Sequence, residues 1–403
     1  MGVQIGEGER GVAVQGFVPG GTAEAAGLRA GDFITGIDGR PVVGVPQFVA
    51  AVGKLRAGDR VKIEFDRSGV KQVSEIGIKP RPFESAPDVE TKYLAVEADG
   101  ALRRAIVTLP KGGGRHPAIL YITGVGCFSQ ESLGIATTET KLLYGLSRAG
   151  FVTMRVEKSG MGDSEGEPCS SARADLMHEV RGYVAGLEAL KGYPFVDAAN
   201  LFIVGLSIGG VEAPLVAKQH PVRGIVVIGT ASKSFLDYLQ ETRRRQGVLA
   251  GTPYDELESR LARNERCNHR LLVDRIDPDA VLRDDPACRE FIEYPAPYTF
   301  MQQWASLNPA REWRDVKAPV LILHGQYDYI ASAGDGPYLR DIIDSFHPGH
   351  ATFESIADMN HPMERVTSMK ESLEKVPGSP GELQPALLDT VRRWLTSTMK
   401  QAG

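Results

Sequence analysis

The sequence predicts an α/β fold with a mostly parallel sheet, preceded by a small β-rich domain. Two observations carry this. From about residue 92 onward, short apolar runs such as AILYITG, FVTMRV, LFIVGLS, GIVVIG and PVLILHG alternate with helical stretches. Runs of this length that are apolar on both faces suit strands buried in a parallel sheet, and strand–helix alternation means βαβ units. The first 80 or so residues read differently, as alternating strands broken by tight turns.

Each element follows in order. GVAVQGFV (11–18) is a strand, and PGGTAEAAGL turns into a short Ala-rich helix. A strand then runs to the Asp38-Gly39 turn, VPQFVAAVGKL (45–55) has helical spacing, and RVKIEF (60–65) and VSEIGI (73–78) flank a turn at 67–69. The Pro-rich stretch that follows reads as a linker. YLAVEA and LRRAIVTL flank Asp99-Gly100, a hairpin signal. Helices are expected near 133–148, near 172–190, from 208, near 336–345 and near 382–399, and a last strand at ATFESIA (351–357). Residues 231–310 break the rhythm with a helical, charged insertion. The expected division is 1–82, a linker at 83–91, and an α/β domain at 92–403 carrying that insertion as a cap. The arginine run at 243–245 reads as a solvated helix face.

Composition narrows the function classes. The chain has 403 residues, 42% of them hydrophobic and 24% charged, as in ordinary globular proteins. Lys plus Arg is 46 and Asp plus Glu is 51, a net charge of −5, which argues against nucleic acid or an anionic membrane as partner. No apolar run reaches the roughly 18 residues needed to span a bilayer. The N-terminal residues lack the basic and apolar regions of a signal peptide, so a cytoplasmic location is expected, or a periplasmic one if a leader was trimmed. Cys127, Cys169, Cys267 and Cys288 are far apart with no CxxC pair, which excludes zinc-finger spacing and predicts reduced structural thiols.

One motif carries chemistry. Gly205-Leu206-Ser207-Ile208-Gly209 follows the apolar run LFIV and opens a helix. G-x-S-x-G means little alone, but strand before and helix after supply its required context. A sharp strand-to-helix turn strains the serine and projects its hydroxyl, and side chains at Gly205 and Gly209 would clash there. Ser207 then sits at a helix N-terminus, where the Ile208 N–H is a first oxyanion donor. The second donor is expected from Thr123-Gly124-Val125-Gly126-Cys127, as the Val125 or the Gly126 N–H.

A serine needs a base, and the base an orienting acid. Asp328 follows the strand PVLILHG, and His361 lies in the loop after ATFESIA. Asp335 reads instead as a helix cap, and Asp358 lies too close in sequence to the histidine. His324 reads as a core residue, and His347 and His350 as a surface turn without a metal. The expected triad is Ser207, His361 and Asp328. Cys127 is expected to line the pocket. Tyr294, Tyr298 and Trp304 either shape that pocket or form the cap's own core.

With these residues placed, residues 92–403 resemble the α/β-hydrolase superfamily of serine esterase and peptidase-like enzymes. The glycine-rich stretch from Arg155 to Gly166, RVEKSGMGDSEG, adds to the likeness. The resemblance implies the α/β-hydrolase fold, a cap over the pocket and an acyl-enzyme mechanism on a small-molecule acyl substrate, with no metal or organic cofactor. An ester or thioester is the first expectation. A peptidase or amidase, or acyl transfer or cyclisation, uses the same triad, and an adaptor on an inactive hydrolase fold is the non-enzyme reading.

Residues 1–80 resemble bacterial protease-type PDZ domains, through Pro19-Gly20-Gly21-Thr22-Ala23, Ala26-Gly27-Leu28, Gly31-Asp32 and Asp38-Gly39. Such domains add a peptide C-terminus as a strand. The carboxylate loop would fall at Gly2, Val3, Gln4 and Ile5. Peptide capture competes with docking or self-assembly as this module's role, so a homo-oligomer stays open.

Overall fold

In the computed structural model, residues 1–18, 20–53, 55–80, 83–132, 136–375 and 381–400 are described. Pro19 of the PDZ-like motif, residues 81–82 of the expected first domain and 133–135 of an expected helix lie outside them. The chain divides into two compact units, one built on Met1–Glu84 and one on Ser85–Glu131 with Ala136–Gly403.

The first unit is a β-sheet with two helices. Its strands are β1 (Val3–Gly8), β2 (Gly11–Phe17), β3 (Phe33–Ile37), β4 (Arg40–Pro41), β5 (Arg60–Arg67) and β6 (Val70–Gly77). Their order is β1-β2-β3-β5-β6, with β4 on β3, and every pairing is antiparallel. Its helices are α1 (Thr22–Ala25) and α2 (Val45–Val52). The inward residues Val12, Val14, Ile34, Ile63 and Phe65 form its core with Leu28 and Phe48. The expected carboxylate loop is corrected here. Val3, Gln4 and Ile5 lie in β1, an edge strand paired along its length with β2, and only Gly2 precedes it. The alternation of that short stretch was too brief to separate a loop from a strand.

The second unit is an eight-stranded sheet with helices on both faces. It comprises β7 (Val89–Ala98), β8 (Ala101–Pro110), β9 (His116–Ile122), β10 (Val152–Val156), β11 (Val196–Leu206), β12 (Gly224–Ile228), β13 (Val320–Gly325) and β14 (Ala351–Ile356). The order is β14-β13-β12-β11-β9-β10-β8-β7, with β7 and β8 antiparallel and the rest parallel. The β7–β8 hairpin closes on Asp99-Gly100, both at positive φ, as its turn chemistry requires. Strands β10, β12 and β13 are buried throughout, which is why their sequences do not alternate.

On one face, α3 (Thr138–Arg148) and α14 (Pro385–Lys400) bury Leu142, Leu143, Leu146, Leu387, Val391 and Leu395. On the other lie α4 (Leu176–Gly192), α5 (Ile208–Ala217) and α12 (Asp335–Phe346). Between β12 and β13 the chain forms α6 (Phe235–Leu249), α7 (Tyr254–Asn268), α8 (Pro278–Asp284), α9 (Arg289–Ile292), α10 (Tyr298–Ser306) and α11 (Pro309–Arg314). Phe235 stacks on Trp304 at 4.0 Å between centroids, with Tyr238 and Tyr294 around them, so this helical segment carries an aromatic cluster continuous with the apolar core on that face of the sheet. A last short helix, α13 (Met369–Glu374), precedes α14. Among the described residues no helix is long and apolar enough to cross a membrane.

The expectation of reduced thiols is corrected. The structure pairs Cys127 with Cys169 and Cys267 with Cys288, at Cα separations of 5.6 and 5.5 Å. Their separations of 42 and 21 residues hid this, because each pair joins segments that only the tertiary fold brings together.

Candidate active site

All the chemistry-bearing residues lie at the C-terminal ends of the parallel strands. Ser207 follows β11 and caps α5 with φ 56° and ψ −118°, a conformation that costs an L-residue roughly 1–3 kcal/mol. Two close approaches impose it. A Cβ at Gly205 would meet the Gly209 carbonyl oxygen at 2.4 Å, and one at Gly209 would meet that of Ile122 at 2.3 Å. The Ser207 N–H donates to the Ile228 carbonyl at 2.8 Å, which ties the turn to β12. The hydroxyl is half-buried and makes no hydrogen bond among the described residues.

Asp328 follows β13, and its side chain is wholly buried. One carboxylate oxygen accepts the Ile330 and Ala331 N–H groups, each at 2.8 Å. The other meets His361 Nδ1 at 2.7 Å. This leaves the imidazole Nε2 for a proton partner, with Nδ1 on the acid. The structure thus joins Asp328 to His361, and neither rival acid reaches that ring. Asp335 accepts the Ser232 hydroxyl at 2.7 Å and the Ser332 N–H at 3.1 Å. Asp358 is exposed. Gly229, not foreseen from sequence, makes room for the pair: at φ 57° its Cβ would lie 3.0 Å from Asp328 Oδ2 and 3.1 Å from His361 Nδ1. Only its position after an apolar strand hinted at it.

The loop after β9 runs beside the serine, since a Cβ on Gly124 would lie 3.9 Å from Ser207 Cβ. The Val125, Gly126 and Ile208 N–H groups have no protein acceptor among the described residues. Each therefore has a free donor to offer an oxyanion.

Two further supports were missed from sequence. The arginine run is not a uniform solvated face, and this expectation is corrected. Arg245 donates to the carbonyls of Ala331 (2.6 Å), Ile330 (2.7 Å) and Tyr329 (3.0 Å), holding the loop that follows Asp328. Arg243 donates to the Glu290 and Phe291 carbonyls, and only Arg244 is exposed, paired with Glu258. The second support is a buried cluster around Lys158, which pairs with Glu179 at 3.0 Å. Glu212 of α5 is fully buried beside it. Burial pushes its carboxyl well above the usual range, the Glu179 charge adds to this, and Lys158 opposes it.

The aromatic residues resolve toward the cap core. Trp304 is buried against Phe235, and Tyr294 packs edge-on to the same ring, while Tyr298 opens α10 half-buried. Burial, then the nearby charge of Asp328, pushes the Tyr238 phenol up to about 12. Cys127 is exposed and bonded to Cys169, so it offers no thiol. Cys267, Asp285 and Cys288 cluster closely, but the two sulfurs are bonded to each other. Burial lowers the pKa of His324, as fits a neutral core residue. His347 and His350 stack in a surface turn, bonded to the Arg314 and Lys317 carbonyls.

A strained serine at a strand-to-helix turn, with an acid–imidazole pair on loops after later strands of the same α/β sheet, defines the α/β-hydrolase class. Residues 136–365 match the family described as Serine aminopeptidase, S33, and the chain belongs to that family. Residues 1–78 match the PDZ domain family. Among characterised relatives, Esterase EstD of Thermotoga maritima is 21% identical over 294 residues, covering 72% of this chain and 64% of that protein. A probable periplasmic serine endoprotease DegP-like of Pseudomonas putida is 34% identical over 85 residues, covering 21% of this chain and 17% of that one. The chain therefore spans less than two thirds of the length of either. Among solved structures, Est1E from Butyrivibrio proteoclasticus with bound ferulic acid aligns at TM-score 0.48 and 15% identity, over 76% of this chain and 98% of that one. Proline iminopeptidase of Mycobacterium smegmatis aligns at 0.49 and 15%, over 77% and 100%.

Proposed function

We propose that this protein is a serine hydrolase that cleaves a carboxylic ester or thioester through an acyl-enzyme on Ser207. The observation that carries the reading is the His361–Asp328 contact, with a wholly buried carboxylate already held by two backbone N–H groups. Such an acid fixes the imidazole tautomer and stabilises the imidazolium that forms when His361 takes the serine proton. Ser207 Oγ attacks the carbonyl, its proton passes to His361, and the negative charge collects on the carbonyl oxygen. The Ile208 N–H and the Val125 or Gly126 N–H receive that oxyanion. His361 then protonates the leaving group, and water repeats the sequence to release the acid. The name of EstD favours an ester.

The second reading is a peptidase with the same triad, favoured by the family's description and by the PDZ domain. In the N-terminal unit β1 is an edge strand of the sheet, which could take a peptide C-terminus by strand addition. The test treats pure protein with a fluorophosphonate and reads intact mass, beside Ser207→Ala, then compares p-nitrophenyl esters, thioesters and peptide amides. One adduct lost in the variant, with ester turnover above amide turnover, is expected. Turnover that survives in Ser207→Ala would sink the reading.

The two disulfides also support a site of action in an oxidising compartment such as the periplasm, in place of the cytoplasmic expectation. Thiol titration of the native protein recovered from that compartment should find no free cysteine, and four titrating thiols would overturn this.

A further inference from the structure

Lys158 is a costly residue. Its side chain is only 2% exposed, and a buried ammonium must be paired and hydrogen-bonded to be tolerated. Glu179, in the first turn of α4, supplies the charge at 3.0 Å. Methionine or leucine would fill the same volume without that cost, so the charge calls for a task.

The task is visible at the second partner. Lys158 Nζ donates to the Gly124 carbonyl at 3.1 Å. Gly124 begins the loop beside Ser207, and its carbonyl shares one planar trans peptide unit with the Val125 N–H. In such a unit the C=O and N–H point in opposite directions. A carbonyl held by Lys158 therefore turns the Val125 N–H to the side away from Lys158. A peptide that follows glycine flips with little steric resistance, and a flipped unit would present a carbonyl oxygen where a donor is needed. The residue before is held independently, since the Thr123 hydroxyl donates to half-buried Glu139 at 2.9 Å.

We propose that Lys158, anchored by Glu179, is a positioning residue that locks the Gly124–Val125 peptide so that the Val125 N–H serves as the second oxyanion donor. This selects Val125 over Gly126, and it rests on the serine-hydrolase reading above. The function would be electrostatic preorganisation, so the effect belongs in the chemical step rather than in binding.

The test compares wild type with Lys158→Met and with the charge-neutral pair Lys158→Met/Glu179→Gln, which leaves no unpaired ion if the single variant fails to fold. Hydrolysis of p-nitrophenyl butyrate gives kcat and KM, thermal unfolding confirms the fold, and a trifluoromethyl ketone reports affinity for a tetrahedral oxyanion. We expect kcat to fall by about 10²-fold, KM to move less than about threefold, and ketone affinity to fall with kcat. A folded double variant with kcat and ketone affinity within about threefold of wild type would overturn the proposal alone. Wild-type protein that neither turns over the ester nor takes a fluorophosphonate at Ser207 would overturn the hydrolase reading, and this inference with it.

Discussion

The turn that carries Ser207 and the loop that carries Asp328 sit on neighbouring parts of one sheet edge, yet they are held by different means. The serine turn is held by backbone against backbone: Gly205 against Gly209, Gly209 against Ile122, and the Ser207 N–H on Ile228. The acid loop is held from a distance by side chains. Arg245 of α6 reaches its carbonyls across more than eighty residues of sequence, and Thr242 and Gln246 of the same helix add bonds to Ile330 and Tyr329. The first arrangement has no slack, because a single methyl group has nowhere to go. The second is distributed, so losing one bond slackens it without collapse.

That contrast can be broken at its rigid end. Gly209→Ala places a Cβ 2.3 Å from the Ile122 carbonyl oxygen, and one backbone must move. We expect a loss of about 3 kcal/mol or more in stability, and ester turnover reduced by at least about 10²-fold through misplacement of the nucleophile. Near-wild-type melting and turnover would show that the turn has slack after all. At the distributed end, Arg245→Met should lower kcat by about tenfold with KM little changed, by loosening the loop behind Asp328. Steady-state kinetics beside thermal melting decides this. An unaltered kcat would mean that Thr242, Gln246 and the local N–H bonds already suffice.

The smallest effect concerns Glu212, on the helix that the serine turn opens. Its folded-state pKa is raised by burial and by Glu179, while the unfolded chain releases the proton in the ordinary glutamate range. Above that range the folded state holds a proton that the unfolded state has lost. Stability is therefore fully present at low pH and falls as pH rises toward the folded value. Glu212→Gln, which mimics the protonated form, should remove that slope. Its melting temperature should drop less between pH 5 and pH 8 than the wild type's, by about 2–4 °C. Parallel melting curves for the two proteins would show that Glu212 does not titrate in the fold.

The same contrast explains what was legible in the sequence. The serine turn is written in five consecutive residues between a strand and a helix, so it could be read directly. The order Ser207, Asp328, His361 and their positions after apolar strands were also readable, because strand ends are local features. What supports them was not. Arg245 looked like one of three surface arginines, since nothing in RRR says which member turns inward. Lys158 lay inside a glycine-rich turn noticed only for its glycines. The cysteine pairs share no local pattern, and the first strand was too short to reveal its alternation before a turn. The helical character of the segment carrying the cap aromatics was legible, although Tyr294 lies between α9 and α10, but whether these rings face a ligand or each other depends on packing that no spacing records.

Ser207 occupies a backbone conformation that glycine adopts freely, so the residue proposed to perform the chemistry is a poor choice for the site that holds it. Selection for turnover and selection for folding therefore pull against each other at this one codon. A lineage released from the need for catalysis would be expected to drift toward glycine at 207 and to gain robustness in doing so, leaving a fold more durable than its working ancestor.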